Sequence, residues 1–247
     1  MADHIPNLQQ DGYDLRLECG LPGVHALAAV SRAVVIVDVL SFSTAVDIAT
    51  SRGAQVLPYR WRDPSAAEFA AAHRALLADH VRGSGYSLSP ASLRSIPPGT
   101  ALVLPSPNGS TLCLSAGAAV WTACLRNYHA VAAAVRRMGS PVAVIPAGEQ
   151  WPDGLLRPAL EDLLGAGAVL SELAGRLSPE AELAVAAFER FRGRLPETLA
   201  ACISGRELLR RGFGMDVELS AECGVSDAAP VLRGDRFVAD RTLSPQP

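Results

Sequence analysis

Aromatic residues are scarce in this sequence, 5% of 247 positions, and charged residues reach only 19%. Alanine far outnumbers aromatics, which argues against a β-sandwich and for helices packed closely on a sheet. No excess of one charge sign exists either, since the net charge is −3. That leaves no electrostatic footprint for nucleic acid or an anionic membrane. No run approaches the ~18 uninterrupted apolar residues of a membrane span. The start, MADHIPNLQQDGYD, is polar and has no apolar core of the kind a secretory signal needs. A cytoplasmic protein is expected, with neither nucleic acid nor membrane as partner.

The five cysteines, Cys19, Cys113, Cys124, Cys202 and Cys223, are far apart and form no C-x-x-C pair. This excludes a zinc ribbon and a disulfide framework, and leaves thiols buried in a reducing compartment. Also missing are GxxxxGK[ST], HExxH and GxSxG, so nucleotide triphosphate, zinc-protease and α/β-hydrolase chemistry have no support. Asp38-Val39-Leu40 lacks the second aspartate of the D-x-D phosphatases.

What is present centres on Ala33 to Ala49, AVVIVDVLSFSTAVDIA. Four β-branched residues, Val34 to Val37, run into Asp38, and a polar loop, Ser41 to Thr44, opens a helix over Ala45 to Arg52. A continuous apolar run followed by a helical pattern reads as a central strand buried on both faces. Ligands in such sheets gather at the carboxyl ends of the strands. Further strands are expected at Tyr13–Glu18, Gln55–Tyr59, Thr100–Leu104, Ala119–Ala123 and Val142–Ile145. Helices are expected from Asp63-Pro64-Ser65 through Leu77, to about Ala116 after Ser110, and over Asn127–Met138, Leu160–Leu173, Ser178–Phe191 and Glu197–Arg211. Strand and helix alternate at short intervals, which predicts an α/β sheet with helices on both faces. One domain spans 1–247, with an irregular loop at about 79–99 and a C-terminal hairpin over 231–238.

Three strand ends could carry chemistry. Asp38, with Ser41, Ser43 and Thr44, can bind a hard cation or attack phosphorus, or simply cap a turn. Pro105 to Thr111 forces a tight turn into a helix start whose free N–H groups suit phosphate, although Asn108-Gly109 also occurs in turns without ligands. Glu161-Asp162 opens a helix, ordinarily as dipole partners. Gly165 and Gly167 inside that helix cost roughly 1 kcal/mol each against alanine, and close backbone approach would account for them.

Val37-Asp38-Val39-Leu40 with Ser43-Thr44, Ser106-Pro107-Asn108-Gly109-Ser110, Arg126-Asn127, Ala147-Gly148 and Glu161 to Ala168 follow one another in the order and spacing of the 2-phosphosulfolactate phosphatase family, which this chain resembles over roughly Leu15 to Asp227. The resemblance implies a three-layer α/β/α fold with a largely parallel or mixed central sheet. It implies a Mg²⁺-dependent phosphatase acting on a small anionic phosphoester, 2-phosphosulfolactate or an analogue, a reaction that serves coenzyme M synthesis in methane-forming archaea. On that pattern Asp38, Glu161 and Asp162 are the catalytic and metal-binding residues. Thr44, Ser106, Asn108, Gly109, Ser110, Thr111, Arg126, Asn127 and Gly148 are the substrate-binding ones. Many family members carry an arginine after Asp-Val-Leu where Ser41 stands here, and Arg60, Arg62 or Arg126 could substitute. The missing arginine favours an alternative, a non-catalytic binder of a small anionic metabolite on the same fold; the intact acidic set opposes it. Whether the chain forms a homo-oligomer is left open.

Overall fold

The β-branched run at 34–37 forms the strand it predicts, Ala33–Val37, and all five of its residues are fully buried. Val35 and Val37 point into one core, Val34 and Ile36 into another. Burial on both faces is what a central strand requires, and each such side chain contributes about 1.5–3 kcal/mol. The computed structural model describes residues 8–117 and 119–240, so the first part of the polar N-terminal stretch lies outside the described residues.

The strands are β1 (Leu15–Leu17), β2 (Ala33–Val37), β3 (Gln55–Tyr59), β4 (Leu76–Leu77), β5 (Ala101–Pro105), β6 (Val120–Ala123), β7 (Val142–Pro146), β8 (Glu149–Gln150), β9 (Leu156–Arg157), β10 (Pro230–Arg233) and β11 (Arg236–Ala239). The helices are α1 (Gly20–Leu27), α2 (Phe42–Ser51), α3 (Ser65–Ala72), α4 (Gly109–Ser115), α5 (Tyr128–Arg136), α6 (Leu160–Ser171), α7 (Pro179–Phe191), α8 (Leu195–Ala201), α9 (Ile203–Arg210) and α10 (Gly214–Ala221).

Among the described residues, nine strands make one sheet in the order β1-β7-β2-β6-β10-β11-β3-β5-β4, and β8 with β9 forms a separate ribbon. β1, β7, β2 and β6 are mutually parallel, as are β3, β5 and β4. The hairpin β10–β11 stands between the two blocks, antiparallel to β6 on one side and to β3 on the other. The sheet is therefore mixed, and the expected hairpin sits near its middle. One core gathers Val131 of α5, Leu164 of α6 and Phe188 of α7; the other gathers Val24 of α1, Val46 of α2 and Leu112 of α4. That is a three-layer α/β/α arrangement. Among the described residues, no helix is long and apolar enough to cross a membrane.

The helices α1 and α10 and the ribbon β8–β9 are additions to the expected elements, and three expected helices differ in their bounds. The helix expected through Leu77 stops at Ala72, because Arg74 adopts a positive φ of 51° and Leu76–Leu77 pair with β5 instead. The helix expected over Glu197–Arg211 breaks at Cys202, whose extended backbone and Sγ cap α9. α2 starts earlier than its apolar pattern predicts, at Phe42, since the Phe42 N–H finds an acceptor in Asp38.

Gly165 and Gly167 are explained by contact. A Cβ on Gly165 would lie 2.8 Å from Val37 and Val39, on the sheet side, and one on Gly167 would lie 2.0 Å from the Ala184 carbonyl oxygen of α7. Gly167→Ala is expected to destabilise the fold by about 3 kcal/mol, since backbone rather than a flexible side chain must give way. Urea titration reads this directly, and an unchanged midpoint would mean that α7 can retreat without loss.

Candidate active site

Asp38 follows β2, and its carboxylate lies between two helix starts. Oδ1 accepts the Phe42 N–H at 3.2 Å, and Oδ2 accepts the Gly109 N–H at 3.1 Å. A Cβ on Gly109 would sit 2.4 Å from the Phe42 ring and 2.8 Å from Asp38 Oδ2, so only glycine lets this amide close on the carboxylate. Burial pushes the Asp38 pKa up to about 6; the two N–H donors and Arg82 pull it down, while Glu161 pushes it up. Helix N-termini favour the charged form, which limits the rise.

Asp162 ties two strand ends together. Its Oδ1 accepts the Val39 N–H at 2.7 Å and its Oδ2 the Gly148 N–H at 2.9 Å. Both oxygens are thus engaged with backbone. Burial, with Asp38 and Glu161 nearby, holds its pKa well above the usual carboxylate range. Glu161 is buried beside it, on the side of Cys202.

A cavity of ≈ 440 Å³ opens over Asp38. Ser41, Ser106, Pro107 and Asn108 line it, together with Glu149, Glu207, His80 and four arginines, Arg62, Arg82, Arg157 and Arg211. Asn108 Nδ2 donates to Glu149 Oε2 at 2.9 Å. Glu149 has its pKa pushed to about 7, by burial first and by Asp38 next. Arg62 is pulled below its usual value by burial and by the like charge of Arg82. Carboxylates and crowded guanidiniums on one small cavity suit a ligand carrying more than one negative charge.

Of the residues expected here, Asp38, Ser106 and Asn108 line the cavity; Gly109 donates to Asp38 and Gly148 to Asp162, and Glu161 is buried close enough to raise the Asp38 pKa. Thr44 is fully buried, its hydroxyl donating to the Val39 carbonyl. Ser110 turns away to the Leu104 carbonyl, and Thr111 lines a neighbouring apolar groove. Arg126 and Asn127 lie outside the cavity. Arg126 pairs with Asp47 and Glu222 and lines a separate, larger cavity of ≈ 820 Å³, while the Asn127 side chain accepts from the Cys124 N–H. Of the arginines considered as substitutes, Arg62 lines the site; Arg60 lines another groove.

Arg82, Arg157, Arg211 and Glu149 escaped the sequence reading. Glu149 had a signal, an acid immediately after the strand-end Gly148. Arg211 precedes Gly212, where an arginine looks like a dipole partner of a helix end. Arg82 lies in a Gly/Ser-rich loop with no local pattern.

Among the described residues, no group of three or more His, Cys, Asp or Glu side chains could hold a metal ion alone. Mg²⁺ usually takes only one or two carboxylates and completes its shell with water and substrate phosphate. Asp38 and Glu161, whose like charges oppose each other, fit that smaller donor set.

A family model described as 2-phosphosulpholactate phosphatase matches residues 21–235. A 2-phosphosulfolactate phosphatase of Methanothermobacter thermautotrophicus is 31% identical over 139 residues, 56% of this chain and 59% of that protein. A probable 2-phosphosulfolactate phosphatase of Carboxydothermus hydrogenoformans is 28% identical over 212 residues, 82% of this chain and 87% of its own. One of the same description from Pseudothermotoga lettingae is 26% identical over 212 residues, 83% and 91% of the two chains.

Proposed function

The chain belongs to the 2-phosphosulfolactate phosphatase family, and from that premise we propose that it hydrolyses the phosphomonoester of a small organic acid, 2-phosphosulfolactate or a close analogue, with Mg²⁺. The observation that carries this reading is the cavity over Asp38, where carboxylates meet four arginines. A phosphoester that also bears an acid group presents several negative charges, which such a rim can neutralise. Positioning and charge neutralisation supply most of the acceleration in phosphoryl transfer.

Asp38 stands at the phosphoryl group, oriented by the amides of Phe42 and Gly109. Asp38 and Glu161 would hold Mg²⁺, which when bound neutralises phosphoryl oxygens as a Lewis acid. Asp162 keeps the loops of Val39 and Gly148 in register. In the overall reaction the ester P–O bond breaks, water oxygen bonds to phosphorus, and the leaving oxygen gains a proton. Glu149, with a pKa near 7 and a hydrogen bond from Asn108, is suited to deliver that proton.

The test is phosphate release from 2-phosphosulfolactate, phospholactate and p-nitrophenyl phosphate, with Mg²⁺ and with a chelator. Turnover should require Mg²⁺ and should favour the two substrates bearing an additional acid group. Preference for p-nitrophenyl phosphate, or an intact phosphoester held for hours with Mg²⁺ present, would defeat the reading.

A further inference from the structure

Arg82 comes from the irregular segment between β4 and β5, which also brings His80 to the cavity but lies far in sequence from Asp38, Asn108 and Glu149. Its guanidinium is nonetheless fixed on two sides. Nη1 donates to Asp216 Oδ2 at 2.5 Å and Nη2 donates to Ser41 Oγ at 2.9 Å. Ser41 belongs to the turn that joins Asp38 to α2, and Arg82 is close enough to lower the Asp38 pKa.

Asp216 does more than pair with one cation. It is 1% exposed, and its Oδ1 accepts from Ser89 Oγ at 2.5 Å and from the Ala91 N–H at 3.1 Å. A single carboxylate on α10 thus anchors both the arginine and the short 3-10 turn Pro90–Leu93 of the same segment. Phe213, just before α10, lies 5.6 Å from the guanidinium carbons of both Arg82 and Arg211. The ring and the carboxylate together fix where Arg82 sits relative to its like-charged neighbours. The pairing with Asp216 is favourable in itself, but it holds the guanidinium on a cavity wall beside Arg62, where the like charges repel. An anion in the cavity reverses that balance.

We propose that Arg82 contacts a phosphoryl oxygen of the ligand beside Asp38, and that Asp216 is the positioning residue that aims it. This rests on the phosphatase reading for the identity of the ligand, not for the contact. Asp216 touches no substrate; it acts through Arg82.

Calorimetric titration with inorganic phosphate tests the contact without needing turnover. Arg82→Gln should weaken phosphate binding by about tenfold or more, the scale of a lost charge-assisted hydrogen bond. Arg82→Lys should recover part of the loss, since a lysine keeps the charge but not the two-sided fork. Asp216→Asn should weaken binding in the same direction, and the Arg82→Gln/Asp216→Asn double variant should be no worse than Arg82→Gln alone. Wild-type affinity in folded Arg82→Gln, or fully additive losses in the double variant, would overturn the assignment. So would failure of the wild-type chain to bind phosphate at millimolar concentration. Should Arg82→Gln not fold, Arg82→Lys and Asp216→Asn decide it: wild-type affinity in both is the negative result. A wild-type chain that binds phosphate through Arg82 yet releases none from any phosphoester would refute the phosphatase reading and leave this contact standing.

Discussion

Asp38→Asn is expected to lower kcat for phosphate release by about 10³-fold or more, because it removes the carboxylate proposed to stand at the phosphoryl group. The substitution is nearly isosteric, and an asparagine oxygen can still accept one of the N–H groups of Phe42 and Gly109. The fold should therefore persist, which makes the loss interpretable. Stability should move the opposite way. Asp38 has a folded pKa of about 6 against an ordinary value of 3.8, so the folded chain holds this proton more tightly than the unfolded one. Ionising it weakens the folded state progressively as pH rises from 3.8 through about 6, and the deficit stays in place above that window. Asparagine does not ionise. In a chelator, the melting temperature of Asp38→Asn relative to wild type should rise between about pH 4 and about pH 7. Added Mg²⁺ should shrink the difference by stabilising the charged wild-type carboxylate. A difference that stays flat across this range, or that ignores Mg²⁺, would count against Asp38 as a buried acid open to a cation.

Asp162→Ala should be the most damaging single change at the site for stability, at about 3 kcal/mol. The alanine strands two buried N–H groups, those of Val39 and Gly148, and each orphaned donor costs about 1–3 kcal/mol, offset in part by relief of a buried charge. Activity should fall as well, since the two loops carry Asp38 on one side and Glu149 on the other. Asp162→Asn keeps one acceptor and should lie between wild type and alanine in urea midpoint. Equal midpoints for all three proteins would mean that water satisfies the freed amides and that Asp162 ties nothing.

Asp38, Glu161 and Asp162 could be singled out in the sequence, whereas Glu149 and three of the four arginines on the cavity could not, for a physical reason. Asp38 stands out because it follows a long buried strand, although a turn cap was an equally good reading of a carboxylate there. Gly165 and Gly167 could be read as contact points because their helix gains nothing from them otherwise. The arginines carry no such mark. Arg82, Arg157 and Arg211 sit in a loop, a two-residue strand and a helix end, where an arginine is ordinarily a solvated side chain. They meet only because tertiary structure folds three separate segments over Asp38. Arg126 failed in the reverse sense: its place in a recognisable motif suggested the site, yet Asp47, fully buried on α2, draws its guanidinium elsewhere. The layered fold was readable from strand–helix alternation. The early stop of α3 was not, because a left-handed Arg74 has no sequence signature.

The hairpin β10–β11 has a consequence for biosynthesis. It joins two half-sheets built from earlier parts of the chain, with Val231 beside Trp121 and Phe237 beside Val56. A nascent chain on the ribosome can assemble the block around β2 and the block around β3, but each keeps an open edge until residue 239 has emerged. Closure of the sheet is therefore a late, long-range event, slow on topological grounds. During that interval the exposed edges are where a chaperone, or a neighbouring nascent chain, would add a strand.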